Sequence, residues 1–164
     1  MRNLLQYSAE TIAVALVFLC GGLLFGALIM EHVFDMAPCP LCLMQRIWLF
    51  VAGALTYASV LHNPRWGIYP LLSIVAAGIG GGFSIRQLYL QSLPADQVPA
   101  CGPDLAYMLD AFPLSQILVA MTRGTGTCAE VGWSFLGLTL PGWALLGFIV
   151  IIAAAILQLR AGAR

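Results

Sequence analysis

Lysine is absent from this sequence, and charged residues of any kind are scarce. They make up 9% of the 164 residues and sum to zero net charge, whereas 61% of the residues are hydrophobic. A soluble domain typically has about 25% charged residues. The composition therefore excludes an ordinary soluble domain and predicts an integral membrane protein. The lack of any basic excess also argues against a nucleic-acid partner.

Four segments nearly free of charge are long enough to cross a membrane, since a helix needs about 20 residues to span the hydrocarbon core. The predicted spans cover residues 11–30, 43–62, 66–86 and 141–160. On one side they are joined by loops at residues 31–42 and 87–140. The first segment is longer than a signal peptide and has no clear cleavage pattern, so we interpret it as a true span. We expect an all-α, four-helix membrane bundle that forms a single domain over residues 1–164.

The distribution of charge predicts how the bundle is oriented. With four spans both termini lie on one side, together with four arginines: Arg2, Arg65, Arg160 and Arg164. Most acidic residues lie on the other side: Glu31, Asp35, Asp96, Asp104, Asp110 and Glu130. The positive-inside rule then predicts cytoplasmic termini. Four cysteines (Cys39, Cys42, Cys101 and Cys128) would face the outer side, where a bacterial cell permits disulfides.

Small residues predict where the helices approach one another. The spacings Gly22-x-x-x-Gly26 and Gly78-x-x-x-Gly82 are typical of close helix packing in membranes. Cys20 lies beside the first of them, and no other Cys or His lies at its depth. We therefore expect Cys20 to be a packing residue.

The long loop at residues 87–140 is predicted to carry two short amphipathic helices on the membrane surface. Apolar residues recur at helical spacing on both sides of Pro113, and Gly124 ends the second set. The sets are Leu105, Met108, Leu109 and Phe112, then Leu114, Ile117, Leu118 and Met121. Cys101 precedes both sets, and Cys128 follows a flexible Gly-Thr stretch. This loop is expected to bring Cys128 to the Cys39 and Cys42 pair.

The main chemical signal is the Cys39-Pro-Leu-Cys42 motif at the start of the second span. A helix that begins there puts Cys39 near the N-cap and Cys42 in the first turn, on one face. Free N–H groups, the helix dipole and Arg46 one turn later favour the thiolate form of Cys42. A disulfide in so small a ring restrains the chain little, so a redox role is favoured over a structural bridge.

A soft-metal site built from cysteines is the alternative from a different functional class. Cys101 and Cys128 stand apart, and no His or Met cluster accompanies them, so we predict no metal site. Glu31, His32 and Asp35 are expected to form a solvated loop face rather than a ligand set.

A membrane dithiol needs an electron acceptor, and the lipid-soluble candidate is a quinone. The Arg46 guanidinium can hydrogen-bond the oxygen of a quinone as negative charge develops on it. An arginine at the end of a membrane helix can also simply reach the head groups. Its position one turn after Cys42 favours the quinone interpretation.

Three features occur together in this chain: Cys39-Pro-Leu-Cys42-Leu-Met-Gln-Arg46, the separated Cys101 and Cys128, and Cys128-Ala-Glu-Val-Gly-Trp133-Ser-Phe-Leu-Gly-Leu-Thr-Leu-Pro141-Gly-Trp143. Together they resemble the bacterial disulfide bond formation protein B family, DsbB, over the whole chain. The resemblance implies a quinone-dependent protein thiol oxidoreductase of the inner membrane. Such an enzyme reoxidises a periplasmic, thioredoxin-like dithiol oxidase, DsbA, and passes the electrons to ubiquinone or menaquinone.

The resemblance also implies a role for each candidate site residue. Cys101 would form the mixed disulfide with the partner, and Cys128 would be its mate. Cys39 and Cys42 would reoxidise that pair, with Cys128 bonded transiently to Cys39. Cys42 would then be released as the thiolate that meets the quinone, which Arg46 polarises. The catalytic residues would be Cys39, Cys42, Cys101 and Cys128, and the quinone-binding residues Cys42 and Arg46.

One position departs from the family pattern. Some members carry a His near the outer end of the third helix, where this chain has Arg86, Gln87, Gln91 and Ser92. Arg86 is expected to face head groups rather than to replace that His. A vitamin K epoxide reductase-like protein is the nearest chemical alternative, but the loop sequence and the lack of a fused thioredoxin-like domain favour the DsbB family.

Overall fold

A computed structural model describes residues 9–94, 96–99, 107 and 110–163 of the chain. Its helices are α1 (Ala9–His32), α2 (Pro40–His62), α3 (Ile68–Ser92), α4 (Leu114–Arg123) and α5 (Leu140–Gly162). Within the described residues, four of these helices, all but α4, are long and apolar enough to cross a membrane. The prediction of an all-α, four-helix membrane bundle is confirmed.

The four long helices form a ring in which α1 and α3 each pack against both α2 and α5. The ring encloses an apolar core whose members include Leu16, Cys20, Leu49 and Phe148. Cys20 is 1% exposed within that core, so it is a packing residue as expected. The turn that joins α2 to α3 lies against the end of α5, because a Cβ on Gly162 would be 3.0 Å from the Arg65 carbonyl oxygen.

The glycine spacings do not mark the helix contacts that were predicted. A Cβ atom added at Gly22, Gly26, Gly78 or Gly82 would meet no atom within 4 Å. The close approach of α3 to α5 occurs instead at Gly80, which lies against the Phe148 ring. The spacing shows that one face of a helix is made of small residues, but it does not show which element lies opposite that face.

Two helices extend further than the predicted spans. α3 continues to Ser92, beyond the predicted end near residue 86, because Leu90 is buried against Leu41 and Cys128. α1 continues through Glu31 and His32, which therefore belong to its last turn and not to a loop. Contacts at the cysteine end of the bundle thus add helical turns that charge patterning alone had assigned to loops.

The long loop packs on the bundle through α4 and the turn that follows it. α4 matches the second predicted amphipathic helix, with Ile117 and Ala120 buried, and it ends at Gly124. Gly124 has φ 82°, and a Cβ there would lie 2.8 Å from Leu41 and 2.7 Å from Leu90. Only glycine fits so tight a position with a positive φ. Of the first predicted set, Leu105, Met108 and Leu109 lie outside the described residues.

A small hairpin that the sequence did not reveal precedes α5. Strands β1 (Ser134–Phe135) and β2 (Leu138–Thr139) pair antiparallel, with Ser134 opposite Thr139. The two turn residues, Leu136 and Gly137, have φ values of 52° and 81°. A hairpin turn of this kind usually carries Asn or Gly at its first position, so a leucine there gave no signal.

Candidate functional site

Cys39 and Cys42 take the positions expected at the start of α2. Cys39 is the N-cap residue, Pro40 opens the helix, and the Cys42 backbone N–H donates to Cys39 Sγ at 3.3 Å. Proline is well suited there because its missing N–H has no helical partner to lose. The two sulfur atoms are 2.8 Å apart, so the thiols are in direct contact.

Cys128 completes a row of three sulfurs. It ends the short 3-10 turn Gly126–Cys128 and has no exposed surface. Cys39 Sγ contacts Cys42 Sγ, and Cys39 packs against the buried cluster that includes Cys128, so its single S–H proton can be donated to either sulfur but to only one at a time. Cys39 is therefore the central member of the row, in contact with both other cysteines. Cys101, the fourth predicted site cysteine, lies outside the described residues.

The contact between Cys39 and Cys128 determines which of the two sulfurs carries the negative charge. The hydrogen bond that Cys39 donates lowers the pKa of Cys128 to about 6, with further help from the backbone N–H groups of Leu41 and Thr125. Burial acts in the opposite sense but is outweighed. The same bond, followed by the bond to Cys42, raises the pKa of Cys39 above its ordinary value. Near neutral pH, Cys128 is thus the thiolate and Cys39 the thiol.

Two buried glutamines contact the sulfurs, and sequence reasoning did not assign either to the site. Gln87 Nε2 lies 3.4 Å from Cys39 Sγ and 3.3 Å from Cys42 Sγ. Gln45 Nε2 donates to Gln87 Oε1 at 2.7 Å. An amide side chain inside an apolar span is costly unless it is paired, a signal that could have identified Gln45 in the second span, whereas Gln87 lay just beyond the predicted end of the third span.

An apolar cavity of about 340 Å³ lies between α1, α2 and α5, next to Cys42. Its walls are almost entirely apolar, apart from Cys42, Gln45 and Arg46. Gly22 and Gly26 line it, which explains why no neighbouring helix contacts them. The lining residues are Gly22, Leu23, Gly26, Ala27, Met30, Cys42, Gln45, Arg46, Leu49, Trp133, Leu140, Pro141, Trp143, Ala144 and Phe148.

A second, more polar cavity of about 260 Å³ adjoins the first. Cys42 and Arg46 line both cavities, whereas Cys39, Gln87 and Glu130 line only this one. Cys42 thus stands at the boundary between an apolar space and a polar one.

Arg46 is held by α1 rather than extended toward head groups. Its guanidinium forms an ion pair with Glu31 and donates from Nη2 to the Ala27 carbonyl at 2.9 Å. The Arg46 side chain is 20% exposed. The expectation that Glu31 is part of a solvated loop face is therefore wrong, because the last turn of α1 brings its carboxylate to the arginine.

Arg86 lies between α3 and the end of α4. Its Nε donates to the Arg123 carbonyl at 3.2 Å, at the end of α4, and its guanidinium lies 5.5 Å from the centre of the Tyr89 ring. It lines neither of the two cavities. These contacts fasten the end of α4 to α3, and the expected orientation of Arg86 toward head groups stays a prediction.

The acidic and histidine side chains near the motif do not gather into a ligand set. Glu31 pairs with Arg46, and His32 Nδ1 lies 3.0 Å from the Leu28 carbonyl oxygen. In the part of the chain that the structure describes, no group of three or more His, Cys, Asp or Glu side chains is arranged to hold a metal ion.

Comparisons with known proteins agree on one family. A family model described as disulfide bond formation protein DsbB matches residues 9–158. Disulfide bond formation protein B of Hahella chejuensis is 52% identical over 139 residues, covering 80% of this chain and 84% of the relative. The protein of the same name from Marinobacter nauticus is 53% identical over 141 residues, covering 84% of each chain. That of Nitrosococcus oceani is 48% identical over 145 residues, covering 87% of this chain and 86% of the relative. No solved structure gives a significant match.

Proposed function

This chain belongs to the DsbB family of disulfide-forming membrane oxidoreductases, and we propose that it oxidises a DsbA-like periplasmic partner and passes the electrons to a membrane quinone. One observation carries the proposal. Cys39 packs against the buried cluster that includes Cys128, its sulfur contacts that of Cys42, and Cys42 lines an apolar cavity. Such a row would connect a loop thiol to a lipid-soluble acceptor.

In the proposed reaction, disulfides exchange in a fixed order. A partner thiolate attacks Cys101 of a Cys101–Cys128 disulfide, and the electron pair of the broken bond leaves on Cys128. The partner's second thiolate then displaces Cys101, which completes the partner's own disulfide. The Cys128 thiolate attacks Cys39 of the Cys39–Cys42 disulfide, and Cys42 leaves as a thiolate. Cys101 finally displaces Cys39 from Cys128, so that Cys39 and Cys42 hold the two electrons.

The surroundings of Cys128 support this order. Only a thiolate attacks a disulfide, and the backbone N–H groups of Leu41 and Thr125 favour the thiolate form of Cys128 even while Cys39 is in the disulfide and has no S–H to donate. Cys39, between the other two sulfurs, is the member that can bond to either. The partner is a strong oxidant, so its regeneration needs an acceptor more oxidising than a glutathione-like pool.

The apolar cavity fits a quinone ring in size and chemistry. Its volume of about 340 Å³ is within the usual range for small-ligand sites, which are mostly apolar with a few polar groups. Cys42 and Arg46 would hold ubiquinone or menaquinone there, and Glu31 keeps the guanidinium in place. The quinone supplies the two-electron acceptor that restores the Cys39–Cys42 disulfide.

The proposed setting is the bacterial inner membrane. Both termini would be cytoplasmic and the reactive cysteines periplasmic, since Arg65 and Arg160 lie at the end of the bundle opposite Cys39.

A stopped-flow assay tests the proposal directly. Purified full-length protein in detergent is mixed with a reduced thioredoxin-like oxidase and, separately, with a ubiquinone or a menaquinone analogue, and quinone absorbance is followed. We expect catalytic quinone loss that disappears in Cys101→Ser, because that variant cannot form the mixed disulfide. Absence of turnover with both quinones, together with stoichiometric bound metal, would contradict the proposal and favour the metal-binding alternative.

A further inference from the structure

Gln87 is the only side chain among the described residues whose amide contacts both sulfurs of the Cys39–Cys42 pair. Its Nε2 is 3.4 Å from Cys39 Sγ and 3.3 Å from Cys42 Sγ, and the residue is 4% exposed. An amide nitrogen carries two hydrogens, so it can donate one to each sulfur. A donor that faces sulfur favours the thiolate over the thiol, because a thiolate only accepts hydrogen bonds.

The orientation of the Gln87 amide is determined by Gln45. Gln45 Nε2 lies 2.7 Å from Gln87 Oε1, and an NH2 group can only donate. This contact requires the Gln87 carbonyl to face Gln45, which leaves the Gln87 NH2 group facing the cysteines. Gln45 is itself only 6% exposed, so water does not compete for its amide. The Cys42 thiol can also donate to Gln87 Oε1 at 3.5 Å, but only while it keeps its proton.

We propose that Gln87 stabilises Cys42 as the leaving thiolate when the Cys39–Cys42 disulfide is opened, and that Gln45 is the positioning residue that directs the Gln87 donors at the sulfurs. The inference rests on the proposed function, in which the Cys128 thiolate attacks Cys39. The Cys128–Cys39 bond forms, the Cys39–Cys42 bond breaks, and its electron pair goes to Cys42. The Gln87 N–H is in place to receive that charge, in a buried setting where the hydrogen bond is strengthened.

Stabilising the thiolate favours the reduced form of the pair, so the loss of Gln87 should make the pair more reducing. A hydrogen bond to a charged group changes an equilibrium constant by roughly ten- to a hundredfold. Each tenfold change corresponds to about 30 mV for this two-electron couple. The same loss should slow turnover, because the leaving group in the disulfide-opening step is less stable.

The test uses four full-length variants. Gln87→Met removes both donors at similar side-chain volume. Gln45→Met keeps the donors but removes the group that orients them. The double variant Gln45→Met/Gln87→Met leaves no unpaired amide. Gln158→Met is the matched control, since Gln158 is another buried glutamine, 1% exposed, bonded to Ser59 and to the Pro64 carbonyl near the opposite end of the bundle.

Three quantities are measured for each variant. The first is the potential of the Cys39–Cys42 pair in quinone-free protein, obtained by equilibration with dithiothreitol mixtures, alkylation and peptide mass mapping. The others are turnover with quinone and the thermal unfolding temperature. We expect Gln87→Met to lower the potential by about 30 mV or more, a tenfold change, and Gln45→Met to have a smaller effect. Gln158→Met should leave the potential unchanged even if it lowers the unfolding temperature.

The double variant separates chemistry from packing. If the glutamines only fill and stabilise the core, the double variant should have the potential, turnover and unfolding temperature of the wild type. Under the proposal it regains stability but keeps the lowered potential and slow turnover. A wild-type potential in Gln87→Met, or recovery of potential and turnover in the double variant, would overturn the inference. Wild-type protein that fails to reduce quinone would contradict the proposed function alone, because the potential is measured without quinone.

Discussion

At the scale of single residues, the hydrogen bond between Cys39 and Cys128 has a measurable effect on ionisation. Cys128 has a pKa of about 6 chiefly because Cys39 donates to it. In reduced protein, Cys39→Ala removes that donor, so the pKa of Cys128 should rise toward the ordinary thiol value of about 8.5. Cys39→Ser keeps a hydroxyl donor, so the Cys128 pKa should stay well below that value.

This prediction is checked by ultraviolet titration of the thiolate, with the curve of a Cys128→Ala protein subtracted. Wild-type Cys128 should lose its proton as the pH rises through about 6, and at pH 7 it should be mostly ionised. Cys39→Ala should be mostly protonated at the same pH. An unchanged midpoint in Cys39→Ala would show that the backbone donors of Leu41 and Thr125, and not Cys39, determine the Cys128 pKa.

Some residues of the candidate site could be predicted from the sequence, and others could not. Cys39, Cys42 and Arg46 were recognisable because their spacing along one helix fixes their relative positions. Gln87 and Glu31 were not, because their contacts with α2 depend on how far α3 and α1 extend past the predicted spans. Contacts between helices are set by packing, and a local pattern does not contain them.

At the scale of helices, the glycine face of α1 leaves space for the apolar cavity. Gly26 lines that cavity, and a Cβ there would meet nothing within 4 Å. Gly26→Leu should therefore fill part of the cavity without disturbing a helix contact. We expect a Michaelis constant for quinone raised by roughly tenfold or more, since the loss of about 1.4 kcal/mol of contact is a factor of ten.

Gly78→Leu on α3 is the matched control. A Cβ added at Gly78 would likewise meet nothing within 4 Å, but Gly78 lines neither cavity. Quinone titrations of both variants, with unfolding temperatures to verify folding, separate occlusion of the cavity from a general effect of leucine. Equal Michaelis constants for quinone in Gly26→Leu and the wild type would show that the quinone binds elsewhere.

At the scale of the whole molecule, the four-helix bundle could be predicted from composition, whereas the contacts made by the long loop could not. Four apolar runs and their connecting loops dictate an antiparallel bundle, because each span must reverse the direction of the chain. The order of packing around the ring, the hairpin before α5 and the contact of Gly124 with Leu41 and Leu90 had no such local signal. They depend on side chains far apart in sequence.

The orientation in the membrane is tested with reporter fusions. Green fluorescent protein at the C-terminus should fluoresce, and alkaline phosphatase at the same position should be inactive, because the arginine-rich end is expected to stay in the cytoplasm. Phosphatase inserted at Gln97, in the exposed part of the long loop, should be active. The opposite pattern would reverse the orientation and place the cysteines in the reducing cytoplasm.

The complete burial of Cys128 also has a kinetic consequence. Its sulfur has no surface exposed to water, so a small thiol such as glutathione cannot collide with it while the loop is in place. A small thiol in solution can reach Cys128 only if the segment after Gly124 first moves away from Leu41 and Leu90. Side reactions with solutes then occur only during the fraction of time in which the loop is open.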